Sequence, residues 1–355
     1  MDVKMIDIAR AAGVTRQAVS AVFNHPDSCR ISPKTQEKIR KIAGELGYEP
    51  NIAARVLKGG KSGSVGIICS DLQFGATSVL FREIVHLLKQ QKLAPIIRIS
   101  EPGATARLVR ELKMRGVDSI IFAQHDRIFD PEKIGLPCLF FEEYNGQADV
   151  SIDKYNAGFS AVQHLYEHGR RRIGCLAIQE NFMKNSVHRT AGWRDACEQF
   201  GLPADDSLFI CSKRFDYDYD KLPELLKQSK TDALLCQNDY VAGRTIKELL
   251  RRGVKVPDDV AFIGFDGMSF CDFCEVPLAT MIQPVRQQAQ LGIELLVERM
   301  KNDDQKLSFA NIKLPLKLYT SASCGCPAKR DNRAFRINTY HSIELNNLEN
   351  FGDIF

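Results

Sequence analysis

The sequence predicts a small all-α helix-turn-helix head followed by an α/β body built of two doubly wound parallel-sheet subdomains. Three observations predict it. The stretch "DIARAAGVTRQAVSAVFNH", residues 7 to 25, spaces its apolar positions three and four apart, yet Gly-Val-Thr interrupts it. From residue 64 onward, runs rich in Val and Ile alternate with amphipathic stretches. A length of 355 residues also exceeds what one ordinary core holds.

In the head, Ile6, Ile8, Ala9 and Ala12 give a first helix one apolar face. Gly13 permits the backbone conformation that stops it, and Thr15 can cap a second helix beginning at Arg16. Val14, Val19, Val22 and Phe23 then face a small core, which leaves Arg16, Gln17, Ser20, Ala21 and Asn24 on the outer side. Ser32-Pro33 opens a third helix running to about Leu46, with Ile39, Ile42, Ala43 and Leu46 inward. A second helix that is polar at its N-terminal end suits a major groove, where Arg pairs bidentately with guanine and Gln with adenine. Charge is divided in the same way. Residues 1 to 60 hold ten basic and six acidic residues, so the whole net charge of +4 sits there and the remainder is neutral. An ordinary helical hairpin with a solvated basic face has the same pattern, and spacing and charge leave both readings open.

In the body, the runs are "SVGIICS", "APIIRIS", "DSIIFA", "PCLFFEE", "RIGCLAI", "LFICS", "DALLCQND" and "VAFIGFD", with helices expected at 78 to 91, 155 to 168, 240 to 252 and 286 to 301. Short buried strands alternating with helices imply parallel, doubly wound sheets, and eight runs are too many for one small sheet. Ligands on such sheets bind beyond the carboxyl ends of the strands. The residues following the runs there are Asp71 to Phe74, Glu142, Glu143, Asn238, Asp239 and Asp266; any one of these taken alone is as readily a helix cap. An aromatic plate to cover a ring is sought among Phe74, Trp193 and Phe215, although a lone Trp more often belongs to a core.

"IDIARAAGVTRQAVSAVFN", "ISPKTQEKI" and "ELGYEPNIAARVLKGG" together resemble the LacI/GalR family of bacterial transcription regulators, and the similarity runs through almost the entire chain. The resemblance implies a helix-turn-helix head over residues 1–50 and a hinge helix and linker over 51–62. It further implies an effector-binding and dimerisation body of periplasmic-binding-protein type over 63–326, crossed three times by the chain. One subdomain would take about 63–154 and 286–313, the other about 155–283 and 314–326. Thr15, Arg16, Gln17, Ser20, Ala21 and Asn24 would read operator DNA, while Ala54 and Leu57 of the hinge would enter its minor groove, where an apolar wedge unstacks a base step. "HRTAGW", "QND", "IGFDG" and "TMIQP" match effector-site segments of the family, so that Arg189, Asn238, Asp266 and Gln283 would meet the effector. The implied function is an effector-controlled repressor acting as a homodimer on a pseudo-palindromic operator, with no enzymatic activity and no cofactor. A sugar or related polar metabolite is expected as effector. Two alternatives stand beside it: a purine or other nucleobase effector, and a solute-binding or enzymatic α/β protein whose helical head serves assembly.

Other chemistry is not expected. "GGKSGS" lacks the first glycine of a phosphate loop, which would fall at Arg55. There is no Gly-x-Ser-x-Gly elbow and no Gly-x-Gly-x-x-Gly fingerprint. The seven histidines are read as showing no metal spacing, and "CDFC" at 271 to 274 and "CGC" at 324 to 326 as too far apart for zinc. The eleven cysteines look like small buried hydrophobes of a reducing compartment, no apolar stretch approaches a membrane span, and the chain is read as cytosolic. Lys4 stands where a Ser or Thr cap is usual, so fraying is expected there; Ala21 occupies a recognition position often filled by a longer side chain. In "YTSAS" an Arg that commonly precedes the serine is missing. Residues 327–355 are expected to be a loose polar tail.

Overall fold

The computed structural model describes residues 3–24, 30–48, 56, 60–69, 75–124, 129–178, 185–212, 217–302 and 306–328. Ala54 and Leu57, expected in a hinge, the aromatics Phe74 and Phe215, and residues 329–355 lie outside them.

Three helices make the head: α1 (Met5–Ala12), α2 (Arg16–Asn24) and α3 (Pro33–Glu45). Gly13, at φ 67, ends α1 with its N–H on the carbonyls of Ala9 and Arg10. Thr15 Oγ1 accepts the Ala18 N–H at 3.1 Å and so caps α2. Ser32 does the same for α3 from Thr35. The start of α1, where fraying was expected, is held from the other side: Asp7 accepts the Lys4 N–H at 2.9 Å. Ile8, Ala9, Ala12, Val19, Val22, Ile39 and Ala43 form a core of the head's own, with Val14, Phe23, Ile42 and Tyr48 packed against it. Two residues assigned inward are not there. Ile6 is 47% exposed and Leu46 is also exposed, because the three-helix core closes on the Ile8 and Ile39 rows and leaves the ends of α1 and α3 in solvent.

The body holds twelve strands among the described residues. One sheet, ordered β2-β1-β3-β4, joins β1 (Ser64–Cys69), β2 (Ala94–Ile99), β3 (Ser119–Phe122) and β4 (Cys138–Phe140), all parallel. Beside it β5 (Val150–Ile152) pairs in parallel with β11 (Ile312–Leu314). The second sheet, ordered β12-β10-β9-β8-β6-β7, joins β6 (Ile173–Ile178), β7 (Phe209–Ser212), β8 (Ala233–Cys236), β9 (Ala261–Asp266), β10 (Ala279–Ile282) and β12 (Lys317–Tyr319). Only the edge strand β12 runs antiparallel. All eight apolar runs are strands, and β5, β10, β11 and β12 are additional to them.

Helices α4 (Gly75–Gln90), α5 (Thr105–Met114) and α10 (Val285–Asn302) cover the first sheet; α6 (Lys154–Glu167), α7 (Asn185–Gln199), α8 (Leu222–Ser229) and α9 (Asp239–Leu250) cover the second. The chain passes between the sheets three times: from β5 into α6, from β10 into α10, and from β11 into β12. A buried ion pair fixes the second return. Arg299 of α10 donates to both carboxylate oxygens of the fully buried Asp149, at 2.6 and 2.9 Å. Asp149 also accepts the backbone N–H groups of Phe140 and Ala310, so none of its charge is left without donors.

Candidate functional site

On the head, the first turn of α2 is the polar surface. Thr15, Arg16 and Gln17 are exposed, and Ser20 and Ala21 are partly so, because Val19 and Val22 take the opposite stripe into the core. Asn24 ends the helix. The first turn of this helix thus exposes one guanidinium and one carboxamide, the two groups suited to bidentate contact with guanine and adenine edges.

In the body, the site is built where the two halves meet. Asp266 ends β9 at a φ of 130, a conformation rare for a residue with a side chain, and is 9% exposed. Its Oδ1 accepts the Gln283 Nε2 at 2.7 Å. It also accepts the N–H of Ala76, in the first turn of α4 from the opposite half. Gly75 is needed for that approach, since a Cβ there would lie 2.7 Å from Asp266 Oδ2. One carboxylate thus joins β9, the crossover after β10, and the N-terminal end of α4. Burial and the neighbouring charge of Asp239 hold the Asp266 carboxyl above the ordinary carboxylate range, with Arg189 opposing them.

Arg189 comes from α7 and is buried, its guanidinium 3.3 Å above the centre of the Phe265 ring. It donates to the Gln237 carbonyl at the end of β8, while its Nε, also buried, has no hydrogen-bond partner. Burial lowers the Arg189 pKa to about 10, and the Asp266 charge works against that fall. Two glycines explain how α7 brings this side chain so deep. A Cβ on Gly192 would sit 2.0 Å from the Tyr155 carbonyl oxygen, and one on Gly158 would sit 2.3 Å from the Arg189 carbonyl oxygen. Helices α6 and α7 therefore touch backbone to backbone, and the Arg-x-x-Gly spacing sets Arg189 one turn from that contact on the same side.

Of the residues assigned to the cleft, Arg189, Asp266 and Gln283 are brought together. Two others have structural duties. Asn238 caps α9, its Oδ1 accepting the Val241 N–H at 2.8 Å. Trp193 is fully buried in the core of the second half and donates Nε1–H to the Ile173 carbonyl at 2.9 Å, so it is no plate for a ligand; the tight α6–α7 contact leaves it facing the sheet. Asp239 is likewise committed, accepting the Thr280 hydroxyl at 2.5 Å and the Met268 N–H at 2.8 Å. Sequence reasoning missed Lys154, the first residue of α6. Burial lowers its pKa, against the opposing charge of Glu142 above all, and Arg189, Glu143 and Asp266 also act on it. Its position directly after the first crossover was the available signal. His188 stands 2.8 Å from Glu143, a further link between the halves.

The histidines need a correction too. His164 and His168 lie four residues apart on α6 and its C-terminal end, and the fold brings them to Cys324 and Cys326. The CDFC pair is elsewhere, with Cys271 buried in a different cluster.

Residues 4–51 match the family model described as "Bacterial regulatory proteins, lacI family", and residues 162–324 match "Periplasmic binding protein-like domain". The HTH-type transcriptional regulator DegA of Bacillus subtilis is 30% identical over 301 residues, which span 81% of this chain and 88% of DegA. Among solved structures, a complex of the transcriptional regulator CelR with cellobiose is 25% identical with a TM-score of 0.65, covering 90% of this chain and 99% of CelR. The lac repressor dimer bound to operator and the anti-inducer ONPF shares the fold at a TM-score of 0.75 and 22% identity, covering 91% and 99% of the two chains.

Proposed function

The chain belongs to the lacI family of bacterial regulatory proteins, DNA-binding transcriptional regulators with an effector-binding body, and we propose that it is a repressor controlled by a small hydroxyl-rich metabolite of the sugar class. The observation that carries the reading is the exposed first turn of α2, with Arg16 and Gln17 free of the head's core. Thr15, Ser20, Ala21 and Asn24 flank them as further operator contacts, and Ala54 and Leu57 would supply the minor-groove wedge.

Asp266, Arg189 and Gln283 support the effector assignment. A carboxylate, a guanidinium and a carboxamide give acceptors and donors for adjacent hydroxyls, and the likeness to a regulator solved with cellobiose points the same way. A ligand that engages Asp266 competes with its bonds to Ala76 and Gln283, and those bonds join the two halves. Effector binding therefore biases the orientation of the halves, and through it the spacing of two heads. A second copy of the chain is the partner this requires. Ile97 and Ile99 on the edge strand β2 are exposed and suit such a contact.

Arg16→Ala tests the reading at its strongest point. On the best operator it should lose about 1–3 kcal/mol of binding and relax the preference at one base position per half-site. A competition assay over single-base operator variants checks this. Uniform weakening on all sequences would make Arg16 a backbone contact and remove the base-reading role of α2.

A further inference from the structure

Helix α6 sets His164 and His168 one turn apart, so their imidazoles leave the same face, with ring centroids 4.1 Å apart. A short turn over Ala322–Cys324, ended by Gly325 at φ 91, carries Cys324 and Cys326 to that face. Cys326 Sγ is 3.2 Å from His168 Nε2 and 3.7 Å from His164 Nε2; Cys324 Sγ is 3.3 Å from His164 Nε2. The ligand atoms of His164, His168 and Cys326 all lie within 4.8 Å of one another. A tetrahedral zinc centre, with bonds of about 2.0 Å to nitrogen and 2.3 Å to sulfur, separates its ligand atoms by roughly 3.3–3.8 Å. His164, His168 and Cys326 already stand within reach of that spacing. Cys324 is near it only toward His164, with its Sγ 3.1 Å from the Ser321 carbonyl, and must turn inward to become a fourth ligand.

Two further features suit a metal. His168 Nδ1 lies 2.9 Å from the His164 carbonyl, a contact in which Nδ1–H donates and the Nε2 lone pair is left toward the thiols. Such an outer hydrogen bond is the usual orienting partner of a ligating imidazole. Cys324 is buried while His168 is exposed, which gives an ion a way in from one side. The same turn is anchored beyond the site, since Ser323 Oγ accepts the Ala279 N–H and donates to the Phe262 carbonyl.

We propose that His164, His168 and Cys326, with Cys324 as fourth donor, bind a divalent cation of the zinc class as a His2Cys2 centre that fastens residues 322–326 to α6. Thiolate and imidazole together select zinc over the oxygen-seeking cations. On binding, both thiols lose their protons to solvent, the imidazoles bind as neutral ligands, and no redox change occurs.

The test uses the full chain, stripped with chelator under reducing conditions and titrated with Co2+ and then Zn2+. One equivalent of Co2+ should give the intense visible bands of a tetrahedral site with sulfur-to-cobalt absorption in the near ultraviolet. One equivalent of Zn2+ should abolish them, release about two protons per ion near neutral pH and raise the Tm. His168→Ala and Cys326→Ser should each remove the spectrum, and Cys274→Ser should leave it intact. Weak octahedral bands in the wild-type chain, or a tetrahedral spectrum that survives both His168→Ala and Cys326→Ser, would overturn the proposal. The wild-type titration decides even where a variant fails to fold.

Discussion

Gly192→Ala should be strongly destabilising although it replaces glycine by the best helix former. Propensity alone would favour Ala by about 1 kcal/mol in a helix interior. The new methyl, however, would sit 2.0 Å from the Tyr155 carbonyl oxygen and 3.0 Å from the Phe159 nitrogen, and backbone atoms do not yield as side-chain ends do. Helices α6 and α7 must part, at a cost of about 1–3 kcal/mol or more beyond the propensity gain. Arg189, one turn away, would move with α7 and lose its seat over Phe265. We expect a Tm lower by several degrees and at least a tenfold loss of effector affinity. Gly44→Ala in α3 is the control, because nothing lies within 4 Å of its added Cβ and it should be neutral or slightly stabilising. Thermal melts of the two variants separate contact from propensity, and a Gly192→Ala chain as stable as wild type would refute the close-approach explanation of the Arg-x-x-Gly motif.

Asp266→Ala should abolish the thermal shift produced by whichever member of a panel of cellobiose, ribose, sugar phosphates and purine bases stabilises the wild type. Losing a buried hydrogen-bonding carboxyl costs about 1–3 kcal/mol, so affinity falls by roughly one to two orders of magnitude. The head should stay folded, since it has its own core and Asp266 is no part of it. The variant also lacks the bonds to Ala76 and Gln283 that join the halves, so its operator affinity without ligand should move toward that of the effector-bound wild type. Linkage adds a second requirement: in the wild type, operator must change effector affinity by the same factor by which effector changes operator affinity, a coupling of about 1–3 kcal/mol. Stabilisation by purine bases alone would replace the sugar-class effector while keeping the role of the cleft. Full ligand response in Asp266→Ala would remove that role.

Much of this was legible in the chain because the signals are local. Each of the eight Val- and Ile-rich runs is a parallel strand, most of them buried, and such strands read as continuous apolar segments; the edge strands β2 and β7 are only partly covered. Gly13, Thr15 and Ser32-Pro33 mark helix ends through their own backbone chemistry. Strands β5, β11 and β12 are three residues each, too short to show a period, and they exist because partners far along the chain pair with them. Trp193 and Asn238 were ambiguous for a different reason: a site residue and a core or cap residue differ in orientation, which spacing does not encode. Lys154 and the His164–His168–Cys326 cluster show the same limit. The His-x3-His spacing is visible in the sequence, but the thiols that give it meaning are about 160 residues away and meet it only in the folded body.

The most direct test of the regulatory reading is a binding selection with the full chain against random duplex DNA at physiological salt. The selected pool should converge on a pseudo-palindromic sequence bound by two copies of the chain, at least a thousandfold tighter than random duplex and weakening steeply as salt rises. A pool without consensus, bound as weakly as the starting library, would contradict the account.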